Sequence, residues 1–121
     1  QPVRVMGDRM RIEQVMVNLL RNALDATKET AEPSIDILLT VGQIATITVR
    51  DNGPGIEDLE SLFEPFYTTK APGDGVGLGL AISSGIVKEL GGRLYARNGR
   101  VGGAVFEVRL PLIDADVKAA E

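Results

Sequence analysis

Residues 11–27 read RIEQVMVNLLRNALDAT. Ile12, Val15, Met16, Leu19, Leu20, Ala23 and Leu24 recur at the i, i+3, i+4, i+7 spacing of a helix with one buried face. Gly7 and Asp8 mark the start, with Asp8 as the N-cap, and the spacing predicts a helix from Arg9 to about Thr27. A second stripe runs along the opposite arc: Gln14, Asn18, Arg21, Asn22 and Asp25 fall together at 100° per residue. A polar stripe is ordinarily just the solvated side of an amphipathic helix, which is enough for Arg21 and Glu13. Two asparagines one turn apart ask for more, because asparagine is a poor helix former. Their side-chain oxygens suit a hard cation such as Mg²⁺. From this helix alone both readings stay open.

Outward from the helix, Pro33 closes the connection and residues 34–41 alternate. Ile35, Ile37, Leu39 and Val41 share one face, with Asp36 and Thr40 on the other. Gly42 and Gln43 read as a two-residue turn into a second strand, residues 44–51, so a hairpin is predicted. A short helical piece is expected around residues 57–63. Four glycines (Gly73, Gly75, Gly77 and Gly79) fall between Ala71 and Gly79, too many for a regular element, and that stretch reads as a mobile loop. A second helix is predicted over residues 80–90, stopped by Gly91-Gly92, and two last strands over 93–97 and 104–110. These elements make an α/β (α+β) two-layer sandwich, its mixed and largely antiparallel sheet covered on one face by helices. Residues 1–112 form the expected domain and 113–121 a polar, Ala-rich tail.

Composition narrows the chemistry. The 121 residues carry thirteen Lys and Arg against seventeen Asp and Glu, with no His, Cys or Trp. One modest domain fits that length. Without Cys there is no disulfide framework or thiolate catalysis, and without His no imidazole base or ligand. A net charge of −4 argues against a nucleic-acid backbone as partner. No apolar run reaches the ~20 residues that span a bilayer. The chain begins at Gln1, which reads as a fragment of something longer.

Two further segments bear on chemistry. Asp51-Asn52-Gly53-Pro54-Gly55 ends a strand; it makes a plain turn readily, yet it also presents a carboxylate beside glycines that let a planar ligand approach. Such a carboxylate can accept from an exocyclic amine like that of adenine. The glycine-rich stretch 73–80 opens a helix, and free N–H groups at a helix start favour anions. It is neither a P-loop nor a dinucleotide fingerprint. Lys70 is either an exposed surface lysine or a point charge for a terminal phosphate. Leu62, Phe63 and Phe66 are either core or an exposed docking patch.

Taken in order, RIEQVMVNLLRNALDAT, DNGPGI, LFEPFYTTK and GVGLGLAIS, closed by GGRLYARN and GGAVFEVRLP, resemble the catalytic, ATP-binding domain of bacterial sensor histidine kinases. That family sits in the wider ATPase superfamily of gyrase, Hsp90 and MutL, with the Bergerat fold. The resemblance covers nearly the whole chain. It implies that Asn22 binds Mg²⁺ with Asn18 assisting, and that Asp51 recognises the adenine amine in a pocket shaped by Gly53 and Gly55. It implies a lid of Gly75, Gly77 and Gly79 over the triphosphate, and a phosphate contact from Lys70. Asp25, Ile56, Thr69, Val76, Leu78 and Leu80 join the expected nucleotide-lining set. Many members carry a basic residue where this chain has Asp25, an acid it shares with the nitrogen-regulation and C4-dicarboxylate-transport sensor groups; phosphate contact therefore shifts to Lys70. Many members also have Thr at the position of Ala104.

Position 18 separates the activities within the superfamily. Hydrolytic relatives place a Glu there as general base, whereas Asn18 is a neutral amide that cannot take a proton. The resemblance thus implies ATP held for an external histidine on a separate dimerisation domain of the parent, with a response regulator downstream. It further implies a cytoplasmic domain of a parent anchored in the bacterial inner membrane.

Overall fold

The computed structural model describes residues 9–68 and 78–112. Helix α1 (Arg9–Thr27) is followed by strands β1 (Ile35–Val41) and β2 (Ile44–Asp51), helix α2 (Gly79–Glu89), and strands β3 (Arg93–Asn98) and β4 (Ala104–Pro111). The strands form one sheet in the order β1-β2-β4-β3, and every pairing among the described residues is antiparallel. Both helices lie on one face, so the architecture is the expected two-layer α+β sandwich.

The apolar stripe of α1 makes the core. Val15, Leu19 and Ala23 are buried on α1, and they join Val49 of β2, Ile86 and Val87 of α2, Leu94 of β3, and Phe106, Val108 and Leu110 of β4. Burying each of these Val, Leu, Ile and Phe side chains contributes roughly 1.5–3 kcal/mol. An apolar crevice lined by Ile12, Met16, Ile47 and Leu90 is part of this core and offers no polar group to a ligand. Helix α2 stops as Gly91-Gly92 predicted. Gly91 adopts φ +86, its N–H bonds Lys88 O at 3.0 Å, and Gly92 N–H bonds Val87 O at 2.9 Å. That pair of bonds is a Schellman cap, which only a residue comfortable at positive φ completes without strain. An ion pair between Arg11 and Glu89 ties the two helices together at their exposed ends.

Two local expectations are corrected. The register pairs Val41 with Ala45, which leaves residues 42–44 across the turn instead of two. Residues 59–63 form successive turns and not a helix: Ser61 N–H bonds Asp58 Oδ1 at 3.2 Å, and Glu64 N–H bonds Ser61 O at 3.0 Å. Pro65 and the left-handed Phe66, at φ +68, keep that segment from continuing as a helix. On β1, Ile37, Leu39 and Val41 do face the helical side, opposite Val49, Ile47 and Ala45. They nevertheless remain about half exposed, because neither helix reaches over this outermost strand. The expected caps and boundaries involving Asp8 and residues 113–121 lie outside the described residues.

Candidate functional site

The last turns of α1, the loop after β2 and the start of α2 converge at one end of the sheet. Asn18, Asn22 and Asp25 are half-buried on the α1 face that meets α2. Asn18 Nδ2 donates to Ser83 Oγ at 3.1 Å and lies 3.5 Å from Gly79 O, both on α2. Asn22 makes no hydrogen bond among the described residues, so its carboxamide oxygen is free to meet a ligand. No group of three His, Cys, Asp or Glu converges among the described residues. A cation here would be met by amide oxygens, a hard donor set that fits Mg²⁺ completed by phosphate and water.

Asp51 is 5% exposed at the end of β2. Its Oδ1 accepts from Gly53 N–H at 2.9 Å and from Ala104 N–H at 3.3 Å. Oδ2 accepts no hydrogen bond among the described residues and is left for an incoming donor. The next residue works differently. Asn52 Oδ1 accepts from Ser34 N–H and Asn52 Nδ2 donates to Glu32 O, each at 2.8 Å, so its side chain staples the segment before β1 to the end of β2.

Glycine is demanded at two points around this carboxylate. A Cβ on Gly53 would stand 2.6 Å from Ala26 O, because the loop presses on the end of α1. Gly103, at φ +77, passes so close that a Cβ would stand 1.8 Å from Asp51 O. The close approach of Gly103 is what brings Ala104 N–H to Asp51. A backbone donor does this work, so alanine at 104 serves as well as a larger residue would.

Two positions that sequence reading did not single out shape the site. Asn98, at the end of β3, grips Ile56 from both sides: Oδ1 accepts from Ile56 N–H at 2.6 Å and Nδ2 donates to Ile56 O at 3.1 Å. The second is Ser83, fully buried under Asn18. An exposed asparagine at a strand end and a serine inside a helix give no local signal of such partners.

Of the expected nucleotide-lining residues, Asn18 meets Gly79, Gly53 beside Asp51 lies against Ala26 at the end of α1, and Gly55 and Ile56 lie by Asn98; Asn22 and Asp25 follow Asn18 along α1, Leu78 precedes Gly79, and Leu80 packs against the core. Thr69, Lys70, Gly75, Val76 and Gly77 lie outside the described residues. The aromatic segment divides: Leu62 is buried and Phe63 packs on the core, while Phe66 stands 71% exposed. Helix α2 begins at Gly79 with no side-chain cap from Leu78, so among the described residues no side chain is seen to claim its first N–H groups.

This architecture has many counterparts. Residues 7–114 match the model of the histidine kinase-, DNA gyrase B- and HSP90-like ATPase family. Among curated proteins, the chain is 43% identical over 113 residues to the C4-dicarboxylate transport sensor protein DctB of Pseudomonas aeruginosa, covering 90% of this chain and 18% of that protein. It is 45% identical over 112 residues to the DctB of Rhizobium meliloti, covering 89% and 17%. The chain thus spans less than a fifth of the length of these relatives. Among solved structures, the catalytic domain of histidine kinase ThkA superposes with a TM-score of 0.74 at 35% identity, over 87% of this chain and 69% of that one. The mycobacterial sensor histidine kinase MprB gives a TM-score of 0.78 at 27% identity, over 89% and 74%. Full-length ShkA, solved in complex with AMPPNP, gives 0.77 at 27% identity, over 94% and 24%. The family match over almost the whole chain, on a fold whose asparagine-bearing helix faces a buried aspartate, makes this protein a member of the histidine kinase-, gyrase B- and HSP90-like ATPase family, in the sensor histidine kinase branch.

Proposed function

We propose that this domain binds Mg-ATP and delivers the γ-phosphoryl group to a histidine on a separate helical dimerisation domain of its parent, in a two-component signalling system. The observation that carries this reading is the amide at position 18. Asn18 holds the place, one helical turn before Asn22, where a hydrolytic pocket needs a carboxylate base. It donates into α2 and has no proton-accepting group to offer a water.

In this scheme Asp51 Oδ2 accepts from the adenine amine, and its Oδ1 is held by Gly53 and Ala104 so that the free oxygen is aimed before ligand arrives. The Asn98 clamp on Ile56 keeps the adjoining loop in shape for the base. Asn22, assisted by Asn18, holds Mg²⁺, which would neutralise charge on the terminal phosphates. Asp25 lines the same face, and Thr69, Lys70 and the stretch from Gly75 to Leu80 would enclose the triphosphate, their N–H groups and ammonium meeting its oxygens. Phosphoryl transfer asks chiefly for positioning and charge neutralisation. An imidazole nitrogen of the partner forms the new bond to phosphorus as ADP leaves. The chain contains no histidine of its own.

The relatives are named as sensor proteins, which supports a parent that senses; the downstream response regulator follows from the two-component scheme proposed here. No described helix is long and apolar enough to cross a membrane. We place the domain in the cytoplasm, where ATP is, with any anchor carried elsewhere in the parent. Mixing the domain with Mg-ATP and the parent's separately produced histidine-bearing domain tests the reading. Labelled acceptor is expected. Phosphate released without acceptor would indicate a hydrolase, and bound but unchanged ATP a nucleotide-binding scaffold.

A further inference from the structure

The carboxamide of Asn18 could in principle be turned either way round, and the choice decides which atom meets the nucleotide. Of its two neighbours on α2 the Ser83 hydroxyl can donate or accept, so the choice falls to Gly79 O, which can only accept. Ser83 Oγ lies 3.1 Å from Asn18 Nδ2, and Gly79 O lies 3.5 Å from the same nitrogen. A backbone carbonyl has lone pairs and no proton, so a reversed amide would set oxygen against oxygen. Nδ2 therefore faces α2, and Oδ1 points off the other branch of the planar group, away from that helix.

Ser83 is the residue that gives this contact its strength. It is wholly shielded from water, one turn after Gly79. A hydroxyl buried without a partner costs free energy, and here the partner is the Asn18 amide. Apolar neighbours on α2, Ile86 and Val87, are also buried, so an alanine at 83 would suit packing alone. What alanine would lack is the acceptor.

We infer that Ser83 is a positioning residue: its buried hydroxyl fixes the Asn18 carboxamide with the oxygen presented to magnesium-bound nucleotide. The inference rests on the Mg-ATP reading above and names a residue through which that site is ordered. Ser83 touches neither metal nor nucleotide; it acts through Asn18. Partners that orient a metal ligand from behind commonly change metal affinity by about 10–100-fold when removed.

The test compares ATP affinity by calorimetry in magnesium and in a chelator, for the wild-type chain, Ser83→Ala, Asn18→Ala and the double variant. Ser83→Ala is expected to lose about tenfold in the magnesium-dependent part of the affinity, with binding in chelator unchanged. In the Asn18→Ala background, removing the hydroxyl is expected to have no further effect, because the route through the amide is already gone. Equal losses with and without magnesium, no loss, or the same loss in the Asn18→Ala background would each overturn the inference. A wild-type chain that binds ATP equally with and without magnesium would remove the metal reading itself, and this inference with it. A readout needing no substitution is side-chain amide exchange by NMR. The Asn18 NH₂ protons are expected to exchange more slowly than those of Asn22, which has no such acceptor; equal exchange would also overturn the assignment.

Discussion

Asp51 and Ala104 lie 53 residues apart in sequence, yet the backbone N–H of Ala104 donates to Asp51 Oδ1 at 3.3 Å. The bond joins the end of β2 to the start of β4. It engages one carboxylate oxygen and leaves the other open, so the binding group is oriented by the sheet itself and not by its own loop alone.

That arrangement predicts distinct outcomes for two substitutions at 51. Asp51→Ala removes both the oriented oxygen and the open one, and is expected to weaken ATP by about 1–3 kcal/mol, the scale of a lost hydrogen bond to a charged group. Asp51→Asn keeps an oxygen for Gly53 and Ala104 but turns a donor towards the base. It should stay folded and lose the preference for ATP over a purine triphosphate lacking the amine. Titration calorimetry with both nucleotides checks this; an equal loss for the two would remove the adenine contact.

The close passage of Gly103 past Asp51 makes a stability prediction. A methyl at 103 would collide with Asp51 O at 1.8 Å from a backbone at φ +77. Gly103→Ala is expected to cost about 2–4 kcal/mol in urea unfolding. Gly85, inside α2, has nothing within 4 Å of an added Cβ. Gly85→Ala should raise stability by about 0.5–1 kcal/mol, since glycine is the poorer helix former.

Asn98→Ala opens the clamp on Ile56. Both bonds are at the surface, so the global cost should be about 1 kcal/mol. The local effect is larger: the Ile56 amide should exchange with solvent much faster, and ATP affinity should fall. An Ile56 amide as protected as in wild type would show that the loop holds its shape without Asn98.

Phe66 stands exposed with a left-handed backbone, a combination that side chains other than glycine occupy at a cost. Phe66→Gly is expected to gain about 0.5 kcal/mol in stability, whereas Phe66→Ala should gain nothing. If Phe66→Gly also leaves phosphotransfer to the acceptor domain unchanged, the exposed ring has no part in docking that domain.

The asparagine stripe of α1, the hairpin, the second helix with its glycine stop, and the Asp51 carboxylate beside glycines were all legible in the sequence. Each depends on a local rule: a 3.6-residue period, a two-residue alternation, or a glycine where φ turns positive. Tertiary structure alone decided the rest. Ser83 under Asn18, Asn98 across Ile56, and Ala104 against Asp51 join residues 65, 42 and 53 positions apart, and no local pattern encodes which distant backbone group a side chain will meet. Alternation likewise told which way Ile37, Leu39 and Val41 point, but whether they are covered depends on where α1 lies over the sheet. Periodicity fixes the direction of a side chain; only packing fixes what stands opposite it.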